Sequence, residues 1–184
     1  MTGPQNGRTS ELMLPAEEPV DSRISAKMLR ESTLTLWESE RERGERMEIL
    51  LVEDNPGDVR LVDEALRDCV GQYSLSVAQD GVDAMALFDS RYGMDGVRPD
   101  LILLDLKLPR KDGRQVLSEI KSDRHLGEIP IVILSSSRDD GDVAAAYELG
   151  ANCYVVKPAD LDRFITVLRS IVYFWWLVAT LPRR

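Results

Sequence analysis

Four short apolar runs in this chain each close on a side chain able to take part in phosphate chemistry. Ile49 to Val52 is followed by Glu53 and Asp54, Leu101 to Leu104 by Asp105, Ile131 to Leu134 by Ser135, and Tyr154 to Val156 by Lys157. If the three acids share one cleft they repel one another: at an effective dielectric of about 20, two unit charges about 4 Å apart cost roughly 4 kcal/mol. A divalent cation relieves that repulsion, and an all-oxygen set of carboxylates, a backbone carbonyl and waters suits magnesium. A carboxylate can also attack an activated phosphorus and form an acyl phosphate, with most of the acceleration coming from in-line positioning and charge neutralisation. Asp105, between an acid pair and a lysine, is the candidate nucleophile. Lys157 would hold phosphoryl oxygens, and Ser135 supplies a hydroxyl that both donates and accepts. Lys157 precedes Pro158, and an X-Pro bond can be cis at a cost of only about 0.5–1 kcal/mol. A cis bond is one way to turn the ammonium back across the sheet.

Taken singly, each feature has a duller explanation. Acids after a strand commonly cap helices, and a serine at a strand end is commonly a turn residue. Their shared position decides the matter. Continuous apolar runs of this length read as buried strands of a parallel sheet, and an open α/β sheet binds ligands just beyond the carboxyl ends of its strands. The pattern predicts strands over residues 48–52, 73–78, 100–105, 130–134 and 152–156. Helices are expected over residues 56–69, 81–90, 113–122 and 140–149, with a last one from Asp160 towards Thr180. Leu61, Val62, Ala65 and Leu66 mark the buried face of the first helix, and Val82, Met85, Ala86 and Phe88 that of the second. Asp58 suits a helix first turn, where a carboxylate meets free N–H groups, and Gly150 suits a position just past a helix end. Five β–α units in sequence make an α/β, doubly wound sheet the natural architecture.

Composition bounds the rest. The chain has 184 residues, a net charge of −9 and a pI near 4.7, which argues against direct binding of nucleic acid, where a basic stripe is needed. Cys69 and Cys153 form no CxxC pair and read as reduced thiols. No secretory leader pattern is visible, and the apolar stretch from Ile171 to Leu181 is too short to span a bilayer; a cytoplasmic protein without membrane insertion is expected. Residues 1–46 differ from the remainder, with Pro4, Pro15 and Pro19 among Gly, Ser, Thr and Glu. They read as an N-terminal extension, disordered or partly helical from Ser25 onward, and an over-extended start before Met47 is a second reading. His125 lies in a polar loop and reads as a surface residue. The run Tyr173-Phe174-Trp175-Trp176 is apolar on several sides of its helix, which suggests pairing with a second copy or docking of a kinase.

Residues 47–184 resemble the receiver domain of two-component response regulators, of the chemotaxis-regulator fold type. The acids of VEDN, the aspartate of LILLDLKLPRKDG, the serine of IPIVILSSS and the lysine of YVVKP match that family motif for motif. The stretches ILLVEDNPGDVRLVDEAL, YELGANCYVVKP and FWWLVATLP further resemble the stand-alone receivers that partner phytochrome-like histidine kinases. The resemblance implies a flavodoxin-like sheet of order 2-1-3-4-5 with five helices. It also implies Asp105 as phosphoacceptor, Mg2+ held by Glu53, Asp54, Asp105 and the backbone carbonyl of Lys107, and Lys157 as the phosphoryl-binding lysine. Ser135 and Tyr154 would be a switch pair that alters a surface built from the fourth helix, fifth strand and fifth helix, for a partner or for a homodimer. Such a chain accepts phosphate from a histidine kinase and has only intrinsic autophosphorylation and autodephosphorylation chemistry, rather than turnover of external substrates. Ser135 stands where threonine is frequent, Lys107 where a smaller residue is, and Ala159 where a larger apolar one is. A haloacid-dehalogenase-type phosphatase would need a second aspartate where Lys107 stands. A flavodoxin-type flavin module would need a Ser/Thr/Gly-rich loop where Glu53-Asp54-Asn55 stands.

Overall fold

The computed structural model describes residues 46–69, 73–90, 92 and 98–181. The expected N-terminal extension, apart from Arg46, and most of the loop expected from Arg91 to Pro99 lie outside them. Met47–Val52 (β1) pairs in parallel with Tyr73–Ala78 (β2) on one side and Leu101–Leu104 (β3) on the other. Ile131–Ser135 (β4) and Cys153–Val156 (β5) complete a sheet of order β2-β1-β3-β4-β5. The connecting helices are Pro56–Cys69 (α1), Gly81–Ser90 (α2), Gly113–Ser122 (α3), Asp140–Glu148 (α4) and Leu161–Tyr173 (α5). The doubly wound architecture and its strand order are those expected. No helix among the described residues is long and apolar enough to cross a membrane.

The inner strands are apolar at nearly every position because both faces of the sheet are covered, yet the period-2 pleat still sorts their side chains. Met47, Ile49 and Leu51 of β1, Leu101 and Leu103 of β3, and Val132 and Leu134 of β4 point to one face. There they meet Val62, Ala65 and Leu66 of α1 and Phe164, Leu168, Ile171 and Val172 of α5. Leu50, Val52, Ile102, Leu104, Ile131 and Ile133 point to the other face, against Ala84 and Phe88 of α2, Val116, Leu117 and Ile120 of α3, and Ala146 of α4. The first helix therefore buries the face its spacing predicts. In the second, Phe88 is buried and Met85 half-buried as expected, but Val82 and Ala86 are exposed and Ala84 takes the inward position. The phase of α2 is set at its start: Asp80 accepts the N–H groups of Val82 (2.7 Å) and Asp83 (3.0 Å), which turns the next apolar side chain outward.

Caps fix the other helix starts. Asp112 caps α3 in a reciprocal box with Gln115, Asp139 caps α4, and Asp160 caps α5. Helix α4 ends as predicted at Gly150, whose φ of 94° lies in the left-handed region. Gly150 donates to Tyr147 O and Ala151 to Ala146 O, the paired bonds of a Schellman ending. The last helix does not run on to Thr180. It ends in a π turn over Phe174–Val178, closed by Ala179 N–H onto Phe174 O at 2.8 Å. Trp175 and Trp176 thereby stay half-buried against the α1/α5 core, while Phe174 and Val178 are exposed.

One glycine carries a direct steric demand. A Cβ on Gly113 would lie 2.2 Å from the Asp105 carbonyl oxygen and 2.7 Å from Leu106 Cα, so α3 starts pressed onto the end of β3. Gly113→Ala is expected to destabilise the fold by about 1–3 kcal/mol, as overpacking does, measurable as a lowered urea midpoint.

A second prediction concerns pH. Arg110, at φ 60°, pairs with both Asp80 and Asp83. Burial pushes the Asp80 carboxyl up, but the N–H groups of Asp83 and Val82 and the Arg110 guanidinium outweigh it and hold the group below its usual 3.8. The stabilisation is therefore present above pH 3.8 and is lost as pH falls through the lower folded value. Asp80→Asn should lower the urea midpoint at pH 7 and flatten its fall between pH 4 and pH 2.

Candidate functional site

Register brings the reactive side chains together. Val52 pairs with Leu104 and Ser135 with Val156, and the ladder continues past the strand ends: Asp105 N–H donates to Val52 O (3.0 Å) and Lys157 N–H to Ser135 O (2.8 Å). Glu53 and Asp105 thus leave adjacent strands side by side, with Lys157 two strands away and long enough to reach both. Its ammonium donates to Glu53 Oε2 at 2.6 Å and Asp105 Oδ2 at 2.6 Å. The Lys157–Pro158 peptide is trans, not the cis bond the sequence allowed; the side chain spans the gap from an ordinary backbone.

A third acceptor was not foreseen. Asp58 lies in the first turn of α1 as expected, and its carboxylate also accepts from Lys157 Nζ at 2.8 Å. The start of α1 is served by Asn55, whose Oδ1 accepts Gly57 N–H at 2.8 Å, leaving the Asp58 carboxylate to cross to β5. The available signal was its place on the first turn after the acidic loop, which must fold back over the strand ends. Lys157 is therefore saturated, three N–H donors meeting three carboxylates.

The electrostatics follow from burial. Burial pushes Lys157 down, but its bonds to Asp105, Asp58 and Glu53 outweigh that, so the ammonium is held above its ordinary range and stays charged. Glu53 is almost wholly enclosed, and burial pushes its carboxyl up; the Lys157 contact and the Asn55 N–H (3.1 Å to Oε1) oppose the rise. Asp105 is buried, its Oδ1 accepting Lys107 N–H at 3.0 Å. Asp54 is exposed. One carboxylate oxygen from each of Glu53, Asp54 and Asp105 lies within 4.8 Å of the others. Four carboxylates, counting Asp58, face a single ammonium. A set of hard oxygen donors carrying excess negative charge fits a hard divalent cation.

Ser135 and Tyr154 stand beside this tripod and are joined through Ser137. The buried Ser135 Oγ accepts Ser137 N–H at 3.2 Å, and the Tyr154 hydroxyl donates to Ser137 O at 3.2 Å. Ser137 Oγ in turn donates to Asp142 Oδ2, and Arg114 of α3 pairs with the same carboxylate. Tyr154 is half-buried, and its N–H donates to the Tyr147 hydroxyl of α4 at 3.2 Å. Lys107 exposes its side chain, and His125 lies on the surface as expected.

A parallel sheet of this order, with an acid pair, a strand-end aspartate and a lysine meeting at its carboxyl edge, defines a class. Residues 49–169 match the response regulator receiver domain, and the chain belongs to that family. Among its relatives is the response regulator Rcp1 of Synechocystis sp., 44% identical over 135 residues, which cover 73% of this chain and 92% of the relative. The crystal structure of the phosphorylated cyanobacterial phytochrome response regulator RcpA superposes with a TM-score of 0.71 at 45% identity, covering 76% of this chain and 100% of that one. The Mn2+-bound form of Rcp1 gives a TM-score of 0.70 at 43% identity, covering 74% and 99%.

Two thermal shifts test the charge balance. A divalent cation at 100 times its Kd should stabilise the protein by about 2.7 kcal/mol, roughly 5–10 °C in Tm for a fold of this size, and Asp54→Asn should remove most of that gain. In chelator, Lys157→Met should lose about 3–5 kcal/mol, the cost of leaving buried charge unpaired, and added divalent cation should restore part of it.

Proposed function

We propose that the chain takes a phosphoryl group from a histidine kinase onto Asp105 in a Mg2+-dependent reaction and signals by protein contact. The observation that carries this reading is the Lys157 ammonium at 2.6 Å from both Glu53 and Asp105, with carboxylate oxygens of Glu53, Asp54 and Asp105 all within 4.8 Å of one another. An Asp105 carboxylate oxygen attacks phosphorus in line; the O–P bond forms as the P–N bond to the kinase histidine breaks, and the histidine leaves with the electron pair. Lys157 then turns the N–H it gave Asp105 onto a phosphoryl oxygen. Glu53, Asp54, Asp105 and the Lys107 carbonyl would hold Mg2+, which would supply positive charge to the phosphoryl group. Catalysis is positioning and charge neutralisation. The chain's own chemistry is limited to autophosphorylation from small donors and slow autodephosphorylation.

The output is a packing switch biased by the new charge. Ser135 gives up the Ser137 N–H and moves to the phosphoryl group, Tyr154 leaves Ser137 O and turns inward, and the α4–β5–α5 face changes. That face, with exposed Phe174 beyond it, is the surface for a homodimer or partner. The relatives' names, a phytochrome response regulator among them, support a kinase of the phytochrome-like class. Residues 47–184 form the receiver unit, preceded by an extension over residues 1–46, in a cytoplasmic protein.

The test is intact-protein mass after incubation with acetyl phosphate, with and without magnesium, beside Asp105→Asn. A phosphate adduct that requires both magnesium and Asp105 is expected. No adduct under any condition sinks the reading and leaves a scaffold. On a sizing column the phosphorylated sample should elute as a dimer; an unchanged monomer would rule out pairing.

A further inference from the structure

The Lys157 ammonium has a partner that the phosphoryl reaction does not require. Glu53 and Asp105 both belong to the strand-end acids that a cation and a phosphoryl group would use, but Asp58 sits on α1 and lies outside the group that converges on the cation space. It is the most solvent-exposed of the three acceptors, its side chain 22% exposed against 2% for Glu53 and 10% for Asp105. The ammonium is thus held on its most solvent-accessible flank by a group from a different element. Asn55 serves the Gly57 N–H of its helix, which leaves the Asp58 carboxylate able to reach Lys157.

An ammonium offers three donors and no more. With Glu53 and Asp58 each taking one, a single N–H remains at Asp105, aimed where a phosphoryl oxygen would appear. Without Asp58 the third donor turns to water, and a flexible four-carbon side chain gains freedom to swing about its remaining contacts. Misplacing such a group by about 1 Å can cost as much as 100-fold in rate. A bound cation would draw on the Glu53 carboxylate, whereas Asp58 lies outside the cation group and would keep its hold on Lys157.

We infer that Asp58 is a positioning residue for Lys157, holding the ammonium from α1 so that one fixed N–H faces the phosphoryl group on Asp105. The inference rests on the phosphoacceptor reading for its kinetic consequence, but the hold itself does not, and the experiment separates the two. The full-length chain with Asp58→Ala and with Asp58→Asn is compared with the unaltered protein by two measurements. The first is the rate of acetyl phosphate labelling at saturating magnesium. The second is the 1H–15N spectrum of the lysine ammonium groups, with Lys157 assigned by its loss in Lys157→Arg. An ammonium held by three bonds keeps its protons long enough to give a cross-peak.

In Asp58→Ala the Lys157 peak should vanish into solvent exchange and labelling should slow about tenfold, with the magnesium dependence little changed. Asp58→Asn, whose amide oxygen still accepts one N–H, should keep the peak and recover most of the rate. A purely structural role predicts no such recovery in rate. A peak that survives in Asp58→Ala overturns the proposal, as does a lost peak with an unchanged rate. If the unaltered protein takes no phosphate at all, the phosphoacceptor reading fails, and the peak alone decides whether Asp58 holds Lys157. If Asp58→Ala does not fold, Asp58→Ser serves in its place.

Discussion

The structure turns on one ammonium keeping company with buried acids. The hydrophobic effect assembles the sheet, and in doing so carries Glu53 and Asp105 out of water at the ends of adjacent strands. Taking ionised groups from water costs several kcal/mol each unless opposite charge and hydrogen bonds meet them. Lys157 supplies both, from a strand that would have no other reason to reach across β4 and β3. Burial thus sets a problem at the carboxyl edge that composition elsewhere in the chain must solve, and the solution leaves an excess of negative charge. That unbalanced charge is what a hard divalent cation would neutralise.

The two faces of the sheet divide the labour. On the α1/α5 side, β1, β3 and β4 pack against long, well-buried apolar stripes, and α5 closes with half-buried tryptophans. On the other side α4 contributes Ala146 as its buried residue, with Leu149 half-buried at its end, and adds the Ser137–Asp142–Arg114 chain of polar contacts. Polar links can be exchanged for others at little net cost, whereas a packed apolar stripe cannot. On the proposed reading, a charge added beside Ser135 would act on this polar-linked layer while the opposite layer holds the frame.

Much of this was legible in the sequence because it depends on local rules. The strand runs, the α1 face through Val62, Ala65 and Leu66, and the glycine stop at Gly150 each follow from period, propensity or a backbone conformation. The convergence of Glu53, Asp105 and Lys157 was legible because a parallel sheet aligns its strand ends. What escaped was decided by competition between distant groups. Asp58 is the helix-start acid it looked like, but nothing local told that an ammonium 99 residues away would claim its carboxylate. Val82 looked buried until the Asp80 cap set the phase of its helix. The C-terminal aromatics read as a run that the core could cover only in part, but which of them stay exposed depends on a single wide turn.

The Tyr147 hydroxyl has a consequence for how the molecule keeps to itself. β5 is the last strand of the sheet, and the outer edge of such a strand is a template on which a foreign chain can add. Tyr154 presents its N–H on that edge, and the Tyr147 hydroxyl already occupies it. An approaching strand would have to displace a tyrosine anchored in α4 before it could begin to pair. At Tyr154 the outer border of the sheet is thus less open to backbone pairing than a bare strand edge, and contacts there fall more to side chains.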